Sequence, residues 1–339
     1  MKRIEVRAAG FNLAMTLNSG QVFHWEKVDP GFYGTIGDRA VYLEQDGTIL
    51  RAKVDGVALP GHRVRKKYAM TRSPTSRELA PPVSELISHY FALDHPLDEI
   101  CASFPLDPVM NAARDFCQGL RIIRQPRWEC LASFICSSMK QVAHIRQISR
   151  ALRERFGEKK EVCGHEVFSF PLAERLAGTT ENELRKCGLG YRAKNLLATA
   201  KRVVSREVSL NSWNALSDRE LREQLCGLPG VGPKVANCVM LFGYERITAF
   251  PIDVWIERVL REKYFPQKAK VTRASLAEFA ANYFGAHGGY AQQYLFHHAR
   301  MTGKRRRKGR LPGRRSRHAA CTRLVNATET AATRDDPSG

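Results

Sequence analysis

The segment Leu228-Pro229-Gly230-Val231-Gly232, followed at once by Pro233, constrains this chain more than any other stretch. Two glycines flanking one apolar residue let the backbone turn sharply and approach another molecule with no Cβ in the way. Pro233 suits the first position of a helix, having no N–H to lose there and a φ already helical. The helix continues through Lys234, Val235, Ala236, Cys238, Val239, Met240 and Leu241, an apolar run long enough to be buried. Its amino end then directs backbone N–H groups at the glycine turn, where the helix dipole adds attraction for an anion. Gly230 and Gly232 are therefore candidate phosphate contacts.

Lys234 is out of place in this helix. It lies in the first turn of an apolar run, beside the positive end of the dipole, a position that disfavours the ammonium and suits a nucleophilic amine. Nineteen residues on, Asp253 stands in Phe250-Pro251-Ile252-Asp253-Val254-Trp255, a lone carboxylate among apolar residues just after a proline. Such a group requires a cation, a helix amino terminus or a chemical role. Taken alone, the pair has two readings: a phosphate contact with a helix cap, or a catalytic couple.

At 339 residues the chain is long enough for two domains, and its formal charge of +20 points to a polyanionic partner, most simply nucleic acid. Nine cysteines are scattered without a CxxC pair, and no signal peptide leads the chain, which favours free thiols in a reducing intracellular compartment. No apolar run reaches transmembrane length.

From Met1 to about Ala102 the periodicity predicts an antiparallel sheet backed by a helix. Expected strands are Ile4 to Arg7, Phe11 to Leu17, Gln21 to Trp25, Gly34 to Ile36, Arg39 to Glu44 and Thr48 to Val54, with Gln45-Asp46-Gly47 as a hairpin turn and Pro82 to Leu93 as the helix. The run His62 to Lys67 reads as a charged loop, either solvated or touching a polyanion. After Asp107 the pattern is helical for almost two hundred residues. Within Pro126 to Phe156, the stretch Cys136 to Gln141 is either an inter-helix loop or the polar face of one long helix. Further helices are expected at Ala173 to Ala177, Glu181 to Cys187, Ala193 to Ser205, Asp218 to Cys226, Val254 to Tyr264 and Ser275 to Thr302. Gly188 to Arg192 forms a second glycine turn tipped by Tyr191 and Arg192, an aromatic and a cation suited to a base and a phosphate, though such a stretch alone is more often just a turn. From Gly303 periodicity is lost. Gly303 to His318 holds nine Lys or Arg and no acid, so 303–339 is expected to be a disordered basic tail adding salt-sensitive nucleic-acid affinity or serving nuclear localisation.

Assembled, these residues resemble the 8-oxoguanine DNA glycosylases of the helix-hairpin-helix (HhH-GPD) base-excision superfamily. LPGVGPKVANC followed by PIDVW is similar to the superfamily signature, with its catalytic lysine and aspartate at Lys234 and Asp253. Ser19-Gly20-Gln21 resembles the amino-terminal motif whose glycine carbonyl senses the N7 hydrogen of the oxidised base. Phe134 to Ser138 resembles the segment before the gap-filling loop, and Leu189 to Arg192 the segment whose tyrosine wedges beside the opposite base. Tyr290 to Phe296 resembles the lesion pocket, its glutamine and phenylalanine falling at Gln292 and Phe296. That pair is i and i+4 on a helix, so an amide able to read a base edge stands beside an aromatic able to stack, as an extruded base requires. Cys238, i+4 from Lys234, is either core or a contact on the other face of the base.

The resemblance implies an α+β architecture: a sheet domain over 1–106, an all-α catalytic domain over 107–302 and the tail. It implies a bifunctional enzyme, glycosylase and AP lyase, acting as a monomer on duplex DNA containing oxidised guanine, in a nucleus or a bacterial cytoplasm. No cofactor or metal is expected, because the iron–sulfur branch carries four closely spaced cysteines after the aspartate and here only Cys321 follows it. Met139 or Lys140 and Tyr191 are expected to fill the vacated space, with Arg192 towards the orphaned base. The chain departs from the family where asparagines usually stand (Met139-Lys140-Gln141), where an arginine reads the opposite cytosine (His144) and where a histidine is common (Trp255). A strict preference for cytosine opposite the lesion is therefore not implied. The rival readings are a superfamily glycosylase with another lesion specificity and a non-enzymatic damaged-DNA binder.

Overall fold

A computed structural model describes residues 3–55, 82–138, 140–266 and 271–308, with side chains as far as Gly303. The chain opens with β1 (Ile4–Arg7) and α1 (Leu13–Asn18), then β2 (Glu26–Val28), β3 (Gly31–Ile36), β4 (Arg39–Asp46) and β5 (Ile49–Val54). These strands form one antiparallel sheet in the order β1-β5-β4-β3-β2. Helices α2 (Val83–Tyr90), α3 (Leu97–Ala102), α4 (Pro108–Phe116), α5 (Arg127–Ser137) and α6 (Val142–Phe156) follow. A hairpin of β6 (Lys159–Val162) and β7 (His165–Phe168) leads to α7 (Ala173–Ala177), α8 (Glu181–Leu184), α9 (Arg192–Val204), α10 (Asp218–Cys226), α11 (Pro233–Gly243), α12 (Val254–Val259), α13 (Arg273–Phe284) and α14 (Gly288–Lys308). The expected α+β class, sheet first and helices after, holds.

Several details differ from the sequence expectation. Phe11 to Leu17 is not a strand. Asn12 caps a helix there by accepting the Met15 N–H at 2.9 Å, and Leu13, Thr16 and Leu17 bury one helical face. So short a run, apolar at Phe11, Leu13 and Leu17, satisfies both periods, and the cap decides. Gln21 to Trp25 is not a strand either, and β2 begins one residue later. The hairpin β6–β7 interrupts the stretch expected to be wholly helical, turning at Cys163-Gly164, both with positive φ, and packing Val162 and Val167 on Tyr42 of the sheet. Ser275 to Thr302 is two helices broken at Gly285, whose φ is +58°. Helix α14 runs past the expected start of the tail at Gly303 as far as Lys308. Residues 309–339, the His62 to Lys67 loop and Met139 lie outside the described residues.

Sheet and helices belong to one compact unit, Met1–Arg300. Gln21 is a main rivet between them: its amide donates to the Arg121 carbonyl at 2.8 Å and accepts the Ile123 N–H at 2.8 Å. A second rivet is the buried Arg153, which donates to Thr35 Oγ1 at 2.9 Å and pairs with the Glu129 carboxylate. These buried hydrogen bonds across the junction hold the Ser19–Gln21 turn in fixed relation to the helices.

Candidate active site

The hairpin and α11 form as the sequence leads one to expect. Gly230 has φ +79°, and a Cβ there would lie 2.7 Å from Asn195 Nδ2, so glycine is required twice over. Asn195 and Thr199, whose hydroxyl donates to the Pro229 carbonyl at 3.3 Å, dock α9 on the hairpin. Gly232 is exposed, with nothing within 4 Å of its Cβ position, and its carbonyl accepts the Ala236 N–H at 2.9 Å. The amino end of α11 therefore opens to solvent.

Lys234 is half-buried. Its Nζ donates to Ser137 Oγ at 3.3 Å and stands 5.2 Å from the centroid of the Phe134 ring. The Ser137 hydroxyl itself donates to the Phe134 carbonyl at 2.7 Å, which leaves its lone pairs for the amine. Phe134 is held by stacking on Phe242 of α11 at 5.5 Å. One turn along α11, burial pushes the Cys238 thiol up to about 11, against the opposing effects of the Lys234 charge and hydrogen bond, so at neutral pH it is a neutral group beside the amine. Asp253 caps α12, accepting the Trp255 and Ile256 N–H groups at 3.0 and 2.9 Å. Burial raises its carboxyl above the ordinary value, opposed by the Ile256 N–H and by the Lys234 charge. Asp253 is thus a helix cap that also stands in the field of Lys234.

The second wall brings together elements far apart in the chain. Gly20, with φ +94°, has its Cβ position 3.1 Å from the Phe296 ring, 3.4 Å from Arg300 Nη1 and 3.6 Å from Val142. Gln293 and Arg300 hold this turn by donating to the Ser19 and Asn18 carbonyls at 3.3 and 2.5 Å. Phe296 is half-buried, whereas Gln292 is only 4 % exposed and its Oε1 has no hydrogen-bond partner. A buried carbonyl oxygen without a donor costs stability unless a ligand supplies one. The field of Asp253 reaches Arg300, which links this wall to the Lys234 side.

A third group sits apart. Tyr191 is 59 % exposed. Arg192, expected to point at an orphaned base, is turned inward: it is 4 % exposed, donates to the Ser138 and Leu189 carbonyls, and lies 4.3 Å from the Tyr191 ring centroid. It braces Tyr191 against the α5–α6 loop. Lys140 in that loop and His144 on the first turn of α6 are exposed. Sequence reasoning missed three contributors: Ser137, seen only as part of a motif, and Arg146 and Arg300. A basic residue at i+4 from Phe296 was the available signal for Arg300. Among the described residues no group of three or more His, Cys, Asp or Glu side chains could hold a metal, and no helix is long and apolar enough to cross a membrane.

Residues 3–131 match the family described as the 8-oxoguanine DNA glycosylase N-terminal domain, and residues 132–282 match the HhH-GPD superfamily base excision DNA repair proteins. An N-glycosylase/DNA lyase of Arabidopsis thaliana is 32% identical over 295 residues, covering 84% of this chain and 76% of that one. A probable N-glycosylase/DNA lyase of Methanothermobacter thermautotrophicus is 28% identical, covering 88% and 97%. The Clostridium acetobutylicum 8-oxoguanine glycosylase/lyase, solved with duplex DNA containing cytosine opposite 8-oxoguanine, superposes with a TM-score of 0.75 at 28% identity, covering 88% of this chain and 98% of that one.

Proposed function

Because this chain belongs to the 8-oxoguanine DNA glycosylase family of the HhH-GPD superfamily, we propose that Lys234 is its nucleophile and Asp253 its electrostatic partner in excising 8-oxoguanine from duplex DNA. What supports this reading is a half-buried amine at the solvent-facing end of α11 standing in the field of the half-buried Asp253 carboxylate that caps α12. The exposed hairpin at Gly230 and Gly232 takes a phosphate, and the extruded purine enters between Phe296 and Cys238, its edge meeting the buried Gln292 amide and the Gly20 carbonyl. A neutral Cys238 thiol suits contact with an uncharged base.

Lys234 Nζ, as free amine, attacks C1′ of the deoxyribose. The C1′–N9 bond breaks and its electron pair leaves with the purine, which then takes up a proton. Positive charge on the sugar is stabilised by the Asp253 carboxylate, which its two N–H partners hold in place. One proton leaves the substituted amine, and its lone pair opens the sugar ring by expelling O4′, which takes up a proton. The protonated Schiff base so formed accepts electrons as a C2′ proton is removed and the 3′ phosphate is expelled by β-elimination. Tyr191, braced by Arg192, and the loop containing Met139 and Lys140 occupy the gap, while His144 faces the partner strand. We assign the sheet over 1–106 to base recognition, the helices over 107–302 to chemistry and the tail over 303–339 to added affinity, in a monomer.

Borohydride trapping tests the assignment. Wild-type protein is expected to trap covalently on 8-oxoguanine duplex and Lys234→Gln to form no adduct. Trapping by Lys234→Gln would remove the nucleophile assignment, and binding without base release by the wild type would favour a non-enzymatic damage binder. Release measured opposite each of the four bases would show whether His144 relaxes the preference for cytosine.

A further inference from the structure

Two guanidinium groups converge beside the lesion pocket, and among the described residues no carboxylate lies within ion-pair distance of either. Arg300 on α14 is 5 % exposed and donates to the Asn18 carbonyl at 2.5 Å, and Arg146 on α6 donates to Asn18 Oδ1 at 3.0 Å. Among the described residues neither forms an ion pair within 4.0 Å, and the Nε of each is buried with no hydrogen-bond partner. Arg300 also meets the His297 ring, whose Nδ1 is 3.2 Å from Nη2, and the Phe296 ring, 5.5 Å away. His297 offers no compensation, since burial and the Arg300 charge hold it neutral, down to about 4. The acid whose field reaches Arg300 is Asp253, and its Oδ1 is engaged by the backbone of α12. Burial and the repulsion of Arg146 lower Arg300 to about 10, which leaves it charged at neutral pH. Two such cations, one of them buried, are costly in the free protein.

We propose that Arg300 and Arg146 form an anion subsite that holds a negatively charged oxygen of the extruded nucleotide. The proposal rests on the reading of this pocket as the lesion site. Arg300 Nη1 lies 3.4 Å from the Gly20 Cβ position, so the guanidinium stands at the edge of the pocket that meets the five-membered ring of the purine. As C1′–N9 breaks, the electron pair collects on N9 and is shared with the oxygen on C8, before a proton arrives. A fixed cation at that edge stabilises the departing base more than the bound one. The same chemistry serves a non-bridging phosphate oxygen, since Asn18 is exposed at the rim and Arg146 half-buried beside it. Arginine suits either source, because it stays charged when buried and presents a planar fork of donors.

The full-length chain and its Arg300→Met, Arg300→Lys and Arg146→Met variants decide the matter, with melting curves to confirm folding. One arm measures binding, across a salt series, to a duplex containing a tetrahydrofuran abasic site, which has the phosphates and no base. If the anion is a phosphate, both Met variants lose about 10-fold in affinity and the salt slope falls by about one. The other arm measures single-turnover release of 8-oxoguanine. If the anion is the departing purine, tetrahydrofuran binding is unchanged, release slows by about 10- to 100-fold in both Met variants, and Arg300→Lys recovers part of the loss. Wild-type behaviour of both Met variants in both arms overturns the subsite. So does a loss confined to Arg300→Met with Arg146→Met unaffected, because Arg300 would then be a bolt for the Ser19–Gly20 turn. Should the wild type itself release no 8-oxoguanine, the lesion assignment fails while the tetrahydrofuran arm still reads the subsite.

Discussion

The Lys234–Asp253 side of this candidate site and the side carrying Lys140, His144 and Tyr191 are built on opposite terms. Lys234, Cys238, Ser137 and Asp253 are buried or half-buried and hold one another or nearby backbone groups, whereas Lys140, His144 and Tyr191 are exposed, Tyr191 leaning on the Arg192 guanidinium. Burial makes a charge interaction stronger because low dielectric screens it less. Exposure keeps a side chain adaptable and its contacts screened by salt. The first side is therefore sensitive to single atoms, and the second to overall charge and shape.

Four changes would break or sharpen that contrast. The largest effect is expected from Asp253→Asn, which keeps an oxygen for the α12 cap but removes the charge. Base release should fall by about 10²- to 10³-fold with little change in melting temperature. Because burial raises the Asp253 carboxyl, wild-type activity should fall on acidification at a higher pH than an ordinary carboxylate would give, as the ionised form is lost. The Asn variant should lack that acid limb in a pH–rate profile. Gln292→Leu should separate function from stability: the orphaned Oε1 disappears, so the fold gains about 1 kcal/mol in a denaturant titration while release of 8-oxoguanine drops about 10-fold or more. An unchanged or lower stability would mean that Gln292 is satisfied without a base.

On the exposed side, Tyr191→Ala should leave the melting temperature unchanged and weaken binding to lesion duplex by about 10-fold, the size of one lost stacking contact. The smallest effect belongs to Lys140→Ala, which should reduce the salt slope of DNA binding by about one and leave the rate of base release at saturation unaltered. A rate effect from Lys140 larger than that from Tyr191 would reverse the contrast, since it would place chemistry in the α5–α6 loop.

Much of this was legible in the chain because it is local. The hairpin, the proline start of α11, Lys234 in its first turn, Cys238 one turn later and the Asp253 cap each follow from spacings of a few residues, and the resemblance rests on them. Gln292 and Phe296 share a helix face by the same rule. The misreadings are local competitions that tertiary contacts resolved. Phe11 to Leu17 suits either period until Asn12 caps a helix, and the β6–β7 hairpin was signalled by Cys163-Gly164 yet overshadowed by the helical stretches around it. Arg192 reads as an exposed cation on a turn, and only packing against Ser138 turns it inward.

By itself the sequence determined the family and which groups are candidates for its chemistry: an amine and a carboxylate at fixed spacing beside a glycine hairpin, an amide and an aromatic on one helix, and a strongly basic chain suited to a polyanion. Tertiary structure decided what those groups touch. It set Ser137 against an amine 97 positions away, Gly20 against Phe296, and Arg300 against the Asn18 carbonyl 282 positions away. Those contacts depend on how the sheet and helices close on each other around Gln21 and Arg153, and spacing along a chain carries no record of a distance set by folding.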